Sequence, residues 1–266
     1  MGVKLKARAY SDIGLYRKKN EDNYLMMKNY LPQEHRITTK KIRANIDKPC
    51  LFAVCDGMGG TLYGDTSSFL AVQSLYENFK IVCSLVNKPN RENIKKILDS
   101  VNEDICSFSK SKQIELGSTI ALLYVDEKEI IVSNIGDSRI YKLYCGKMEQ
   151  LSKDHNQAYF MYESGMITKE EMKNHRGRHH LTQYLGIKSD EMIIDPYIQC
   201  MNHDEGKVIF LICSDGLVET LDDEVIKYIL EQKISLKKKS KMLVKSAIKH
   251  GSKDNVTALL VEIIKK

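Results

Sequence analysis

The sequence predicts an α+β fold in which antiparallel sheets are covered by helices. Three observations predict it. Runs of five to eight residues rich in Val, Ile, Leu and Tyr fall at 3–10, 50–55, 118–125, 129–135, 139–144, 207–213 and 256–263, each bounded by Asp, Gly, Asn or Lys. Two joins between these runs, YVDEKEI at 124–130 and LYCGKMEQL around Gly146, have the composition of hairpin turns. Segments of helical spacing come in pairs instead of alternating one for one with strands, which argues against a doubly wound parallel sheet.

In chain order, VKLKARAY opens as a strand of alternating charged and apolar residues, and CLFAVC at 50–55 is a continuous apolar run that reads as a buried strand. Phe69, Val72, Leu75, Tyr76 and Phe79 predict a helix over 66–80, and Ile94, Ile97, Leu98, Val101, Ile105 and Phe108 another over 91–108. Between 153 and 190 the chain is polar and rich in His, Lys and Arg, with a helix ITKEEMKNH after Gly165. It reads as a surface subdomain or flap that adds little to the core. A third helix is expected at roughly 222–232 and a fourth at 236–249, where Leu236, Met242, Leu243, Ala247 and Ile248 share a face and the lysines are solvated.

The 266 residues could form one large domain or two small ones. With four prolines, no Gly/Ser linker and no repeat, one domain over 1–266 is expected, carrying the flap at about 153–190. No window approaches 18 uninterrupted apolar residues, so no bilayer span is expected. MGVKLK lacks both the apolar stretch of a signal peptide and the hydroxyl residue that myristoylation wants at the sixth position. Seven cysteines, an odd number without a CxxC, point to reduced, buried thiols in the cytoplasm and away from zinc. The net charge of +6 is spread along the chain, and its densest run, SLKKKSKMLVKSAIKH, has no interleaved aromatics. Nucleic-acid binding is therefore not expected; the balance supports a mild attraction for acidic or phosphorylated partners, with a monomer as the default state.

Acids recur where strands end: Glu21 and Asp22 in RKKNEDNY, Asp56 in CDGMGG, Asp137 in NIGDSR, Asp215 in CSDGL and Asp254 in SKDNVT, each beside Gly or Asn. One at a time they are explained as turn formers. Together on one rim, such carboxylates would repel one another unless cations neutralise them. Oxygen-only ligands select hard ions, Mg or Mn before Zn. Two such ions bridged by one carboxylate suit hydrolysis at phosphorus, and Arg17, four residues before Glu21, is placed to hold a phosphate.

SDIGLYRKKNEDNY, FAVCDGMGGTLYGDTSS, LGSTIALLYV, NIGDSRIYKL, LSKDHN, ICSDGL and KDNVTALLVEI, in that order and spacing from about residue 5 to 263, resemble the metal-dependent protein phosphatases of the 2C type, in their bacterial branch. The resemblance implies a four-layer αββα sandwich and a phosphatase of phosphoserine and phosphothreonine, with two Mn or Mg ions and a weaker third. It implies that Asp56 bridges the two ions and that the Gly57 carbonyl completes one shell. Asp215 and Asp254 then hold the other ion, and Glu21 and Asp22 sit beside the cluster, acting through ordered water. Arg17 would bind phosphate, Asp137 with Asp215 would hold the third ion, and Ser138, Arg139 and Asn255 would brace loops. Phosphoproteins are the implied substrates, and a bacterial-type Ser/Thr kinase the implied opponent.

Some positions depart from the family. Met58 stands where many eukaryotic members have a histidine suspected as general acid, so water held by the ions must protonate the leaving alkoxide. Residues 28–49 are longer than the hairpin usual there and read as an extended basic loop. His155 is expected to order a loop, and His175, His179, His180, Arg176 and Arg178 to form a solvated, substrate-contacting surface. Met26, Met27, Met161 and Met166 read as packing residues and Cys55 as an inert buried thiol. Two rival functions are a catalytically weak phosphoprotein-binding scaffold, which would lack one of Asp56, Asp215 and Asp254, and a two-metal nuclease, which would group basic residues around the acids.

Overall fold

Two antiparallel sheets carry the chain, and both faces of each are covered. A computed structural model describes residues 3–45, 48–58, 63–86 and 88–265. The first sheet runs β10 (Lys147–Gln150), β9 (Arg139–Tyr144), β12 (Gly206–Cys213), β13 (Val256–Lys265), β1 (Val3–Asp12) and β4 (Ile37–Asn45). The second runs β11 (Tyr197–Asn202), β8 (Glu129–Ile135), β7 (Ile120–Val125), β5 (Cys50–Met58), β2 (Asp22–Met26) and β3 (Asn29–Tyr30), and β6 (Gly117–Ser118) pairs with the end of β5. Every ladder is antiparallel.

Three cores separate four layers. Between the sheets, Leu5, Ala7 and Ala9 of β1 and Phe210 and Ile212 of β12 meet Tyr24, Phe52 and Leu123 of the second sheet. On the outer face of the second sheet, Leu51, Leu122 and Ile131 pack against α1 (Gly64–Leu85) and α2 (Arg91–Lys112). On the outer face of the first sheet, Ile209, Leu211 and Leu260 pack against α5 (Asp215–Val218), α6 (Asp223–Glu231) and α7 (Leu236–Lys249). This explains why β7 and β12 read as unbroken apolar runs: successive side chains point to opposite faces, and each face has a core to fill. Each large side chain so buried stabilises the fold by about 1.5–3 kcal/mol.

The helices begin and end for local reasons. Asn90 and Asn93 cap α2 reciprocally, each side chain accepting the other's backbone N–H at 3.0 Å, and Gln113 closes the helix in the left-handed region. Ala71, Val72, Leu75 and Phe79 form the buried stripe of α1. Ser235 caps α7, whose Leu243, Val244 and Ala247 face the sheet.

Several sequence expectations need correction. The segment 28–49 holds β3 and the nine-residue edge strand β4 where a loop was expected; Ile46 and Asp47 lie outside the described residues. ITTKKIRAN escapes a periodicity reading because its ladder with β1 holds it, and only Ile42, opposite Ala7, joins the inner core. The segment 153–190 contains α3 (Gln157–Glu163), α4 (Lys169–Asn174) and a 3-10 turn at Arg176–His179. Its polar helices stay at the surface, yet Leu185 and Ile187 are core residues under α2. Lys239 is not solvated: its ammonium is buried on the carbonyl of Leu230, at the end of α6. Of the seven cysteines, Cys50, Cys55 and Cys213 are buried, but Cys145 and Cys200 are exposed. Met166, expected to pack, is exposed.

Candidate active site

The acids gather where the strands of both sheets reach one end of the sandwich. Asp22 opens β2 and Asp56 lies near the end of β5, and the register of the two strands sets them directly opposite one another. Asp137 follows β8, Asp215 opens α5 after β12, and Asp254 precedes β13. Like charges across a strand pair are destabilising, so this register costs the sheet stability.

The electrostatics show how close the groups are. Burial first, then the charges of Asp22, Asp215 and Asp254 and a hydrogen bond to Asp215, push the Asp56 carboxyl well above the carboxylate range. Burial lifts Asp22 to about 7, although Thr257 and Ser214 hydrogen-bond its charged form. Asp215 is lifted to about 6 by burial and by Glu219 and Asp254. Asp137 is raised by burial, Asp215 and Asp154 against the opposing pull of Arg139. Two buried carboxylate oxygens, Asp22 Oδ1 and Asp215 Oδ1, accept no hydrogen bond. Such oxygens are costly to bury unless a cation meets them. Among the described residues no group of three or more His, Cys, Asp or Glu side chains is arranged so that it could hold a metal ion as it stands. The donor set is all oxygen, which fits Mg or Mn.

Neighbouring residues fix each acid. Thr119 holds Asp56 from both sides: its hydroxyl accepts the Asp56 N–H at 3.0 Å and its N–H donates to the Asp56 carbonyl at 2.8 Å. Ser138 shares a 2.7 Å hydrogen bond with the same hydroxyl. Ser214 donates to Asp22 Oδ2 at 2.7 Å while accepting the N–H of Thr257 at 3.1 Å, so one hydroxyl joins β2, β12 and β13. Asn255 is buried; it accepts the Glu21 N–H at 2.7 Å and donates to the carbonyls of Ile13 and Lys19 at 2.9 Å each. It thereby shapes the turn that carries Arg17. Sequence reading assigned nothing to Ser214 or Thr119, because neither sits in a pattern that a single sequence reveals.

Arg17 is half-exposed at the mouth of the cluster, with Nη2 2.5 Å from Asp254 Oδ2 and Nη1 3.5 Å from Glu21 Oε2. Glycine at position 57 is required by packing. A Cβ there would lie 1.8 Å from the carbonyl oxygen of Gly64, so the first turn of α1 backs directly onto this residue. Gly216 is likewise required by the carbonyl of Asn255, 2.1 Å from an added Cβ. Residues 59–62 of the DGMGGTL stretch lie outside the described residues.

The remaining candidates have mostly structural contacts. The Arg139 guanidinium grips Asp154 at 2.7–3.0 Å and donates to the Tyr141 hydroxyl at 3.1 Å. His155 joins the loop at Gly136, donating its N–H to that carbonyl at 2.9 Å and accepting the Gly136 N–H on Nδ1 at 3.3 Å. From the 3-10 turn, His179 Nδ1 lies 3.0 Å from Glu219 Oε1, which brings the end of the 153–190 segment to α5. His175 accepts the Gly177 N–H within its own turn. Cys55 is fully buried with its thiol pushed up by burial, as an inert thiol should be.

The family model described as protein phosphatase 2C matches residues 40–260. The serine/threonine phosphatase stp of Listeria innocua is 30% identical over 221 residues, which are 82% of this chain and 86% of that protein. The structure superposes on the PPM Ser-Thr phosphatase MsPP of Mycobacterium smegmatis, solved with cacodylate, with a TM-score of 0.75 and 27% identity over 96% of this chain and 97% of that one. It has the same fold as the catalytic domain of the serine threonine protein phosphatase PstP, solved with 2 manganese ions, with a TM-score of 0.77 and 24% identity over 99% and 100% of the two chains.

Proposed function

The chain belongs to the protein phosphatase 2C family, and we propose that it hydrolyses phosphoserine and phosphothreonine on proteins at the acid cluster around Asp56. It is a protein serine/threonine phosphatase that works with Mn or Mg ions. One observation carries the site assignment: five aspartates from both sheets converge with two buried carboxylate oxygens unsatisfied, and their donors are oxygen alone. Asp56, Asp22, Asp215 and Asp254, with the Gly57 carbonyl, would hold two ions, and Asp137 with Asp215 would hold a third. When bound, the ions supply an activated water and neutralise charge developing at phosphorus.

The protein's own residues do the rest. Arg17 binds and orients the phosphate, its planar fork matching two phosphoryl oxygens. Asn255 holds the turn from which it projects. Ser214 and Thr119 keep Asp22 and Asp56 from swinging away under mutual repulsion. Met58 has no proton to give, and His155 is engaged in its loop. The scaffold alternative is not favoured, since no acid of the set is missing.

We further read residues 1–266 as one phosphatase domain with a flap at about 153–190, acting as a cytoplasmic monomer in signalling, opposite a Ser/Thr kinase. An odd number of cysteines without a CxxC supports the compartment; no helix among the described residues is long and apolar enough to cross a membrane. Hydrolysis of p-nitrophenyl phosphate tests the core claim. It is expected to require Mn or Mg, to stop in excess chelator, and to be lost in Asp56→Asn and Asp215→Asn; full activity in chelator refutes it.

A further inference from the structure

On the outer face of the first sheet, β1 and β4 set like charges against each other. Lys6 stands opposite Arg43, and Arg8 opposite Lys41. Val3, Leu5, Ala7 and Ala9 of β1 are buried between the sheets, so Lys6 and Arg8 point outward with their partners. Cross-strand pairs of like charge are destabilising, yet here two such pairs adjoin. Lys207 of β12 and Lys237 of α7 line the same groove. Its single acid is Glu262, already engaged by Lys207 at 2.8 Å and Lys6 at 3.3 Å. Among the described residues, Arg8, Lys41, Arg43 and Lys237 have no carboxylate within ion-pair distance. Ser235 and Leu236 put the N-terminal end of α7 on the groove, adding its positive dipole end.

β4 is also the edge of its sheet and leaves one row of backbone N–H and C=O groups without a strand partner. Lysines on an edge commonly ward off strand addition. That role needs charge on β4 only, whereas these cations extend inward over β1, β12 and α7. We infer that the groove docks an extended, Asp/Glu-rich protein segment, which adds to β4 as a further strand and sets its carboxylates against Arg8, Lys41, Arg43 and Lys237. Strand addition supplies backbone hydrogen bonds, and the cations select the acidic sequence. No lining residue is aromatic, so bases have nothing to stack on, and none is a large exposed apolar side chain that could enter a bilayer. The groove shares no residue with the acid cluster, and the inference stands without the phosphatase reading.

The test is fluorescence anisotropy with a labelled peptide of alternating Glu and Val as long as β4. Binding is expected to weaken as salt is raised, and to be about tenfold weaker for Lys41→Glu/Arg43→Glu. A peptide N-methylated along its pairing edge is expected to lose binding. Thermal unfolding checks that the variant is folded; if it is not, Lys41→Gln/Arg43→Gln carries the same test. Equal binding by the folded variant, equal binding of the N-methylated peptide, or tighter binding of phosphatidylserine vesicles or a single-stranded oligonucleotide than of the peptide overturns the inference.

Discussion

Asp22 and Asp56 face each other across the β2–β5 ladder, two carboxylates in one cross-strand pair. The sheet holds this arrangement because Ser214 and Thr119 fix the two residues from outside the pair. Asp22 titrates at about 7 in the folded chain against 3.8 as a free side chain. A folded-state pKa raised in this way contributes stability that is present below the unfolded value and lost as pH rises through the folded one. In chelator, the melting temperature is therefore expected to fall between about pH 4 and pH 7, and Asp22→Asn should flatten part of that slope. Added Mn should recover stability at neutral pH and much less at pH 4. A melting temperature that is level across the window in chelator contradicts the repulsion.

Arg17 and Asn255 should separate binding from bracing. Arg17→Ala removes the phosphate fork and is expected to raise KM for p-nitrophenyl phosphate about tenfold or more, with Mn still bound. Asn255→Ala leaves one N–H and two carbonyls without their partner, which costs about 1–3 kcal/mol of stability and loosens the Arg17 turn. Its KM should rise in the same direction but by less. An unchanged KM in Arg17→Ala removes that residue from the phosphate site.

Gly57→Ala tests the packing of α1 on β5. With a carbonyl oxygen 1.8 Å from the new Cβ, the helix must move, and a loss of about 3 kcal/mol in urea unfolding is expected. A loss below about 1 kcal/mol would mean that the first turn of α1 yields easily.

Arg139→Ala strips Asp154, a buried carboxylate, of its cation. Breaking a pair of this kind costs about 3–5 kcal/mol because the remaining charge stays buried. Asp154→Asn should cost less than Arg139→Ala, since the arginine side chain it strands is 24% exposed and can reach water, whereas the Asp154 side chain is 6% exposed. The reverse order, measured by denaturant unfolding, would argue against the pair as the anchor of this loop.

What the sequence made legible follows physical range. Strands buried on both faces and helices with an apolar stripe declare themselves locally, so β5, β7, β12, α1, α2 and α7 are readable to within a few residues. Asp56 and Asp215 are equally readable, because an acid before glycine at a strand end is a local oddity. β2 and β11 are short and their patterns uneven, and β4 is held by its ladder more than by burial, so none of them shows a period. Ser214 meets Asp22 over 192 residues of chain, and Asn255 meets Glu21 over 234, and no local pattern encodes either contact. The steric constraint on Gly57 is hidden for the same reason: it comes from the start of another element.

In the first sheet, β1 lies between β4 and β13, and Val3 is in register with Lys265. Until β13 is in place, β1 therefore has only its ladder with β4. Contacts so distant along the chain make for slow closure and a prolonged exposure of sticky intermediates. Arg17 and Asp254, which flank this seam, meet only when it shuts, so the site is assembled no earlier than the pairing of β1 with β13.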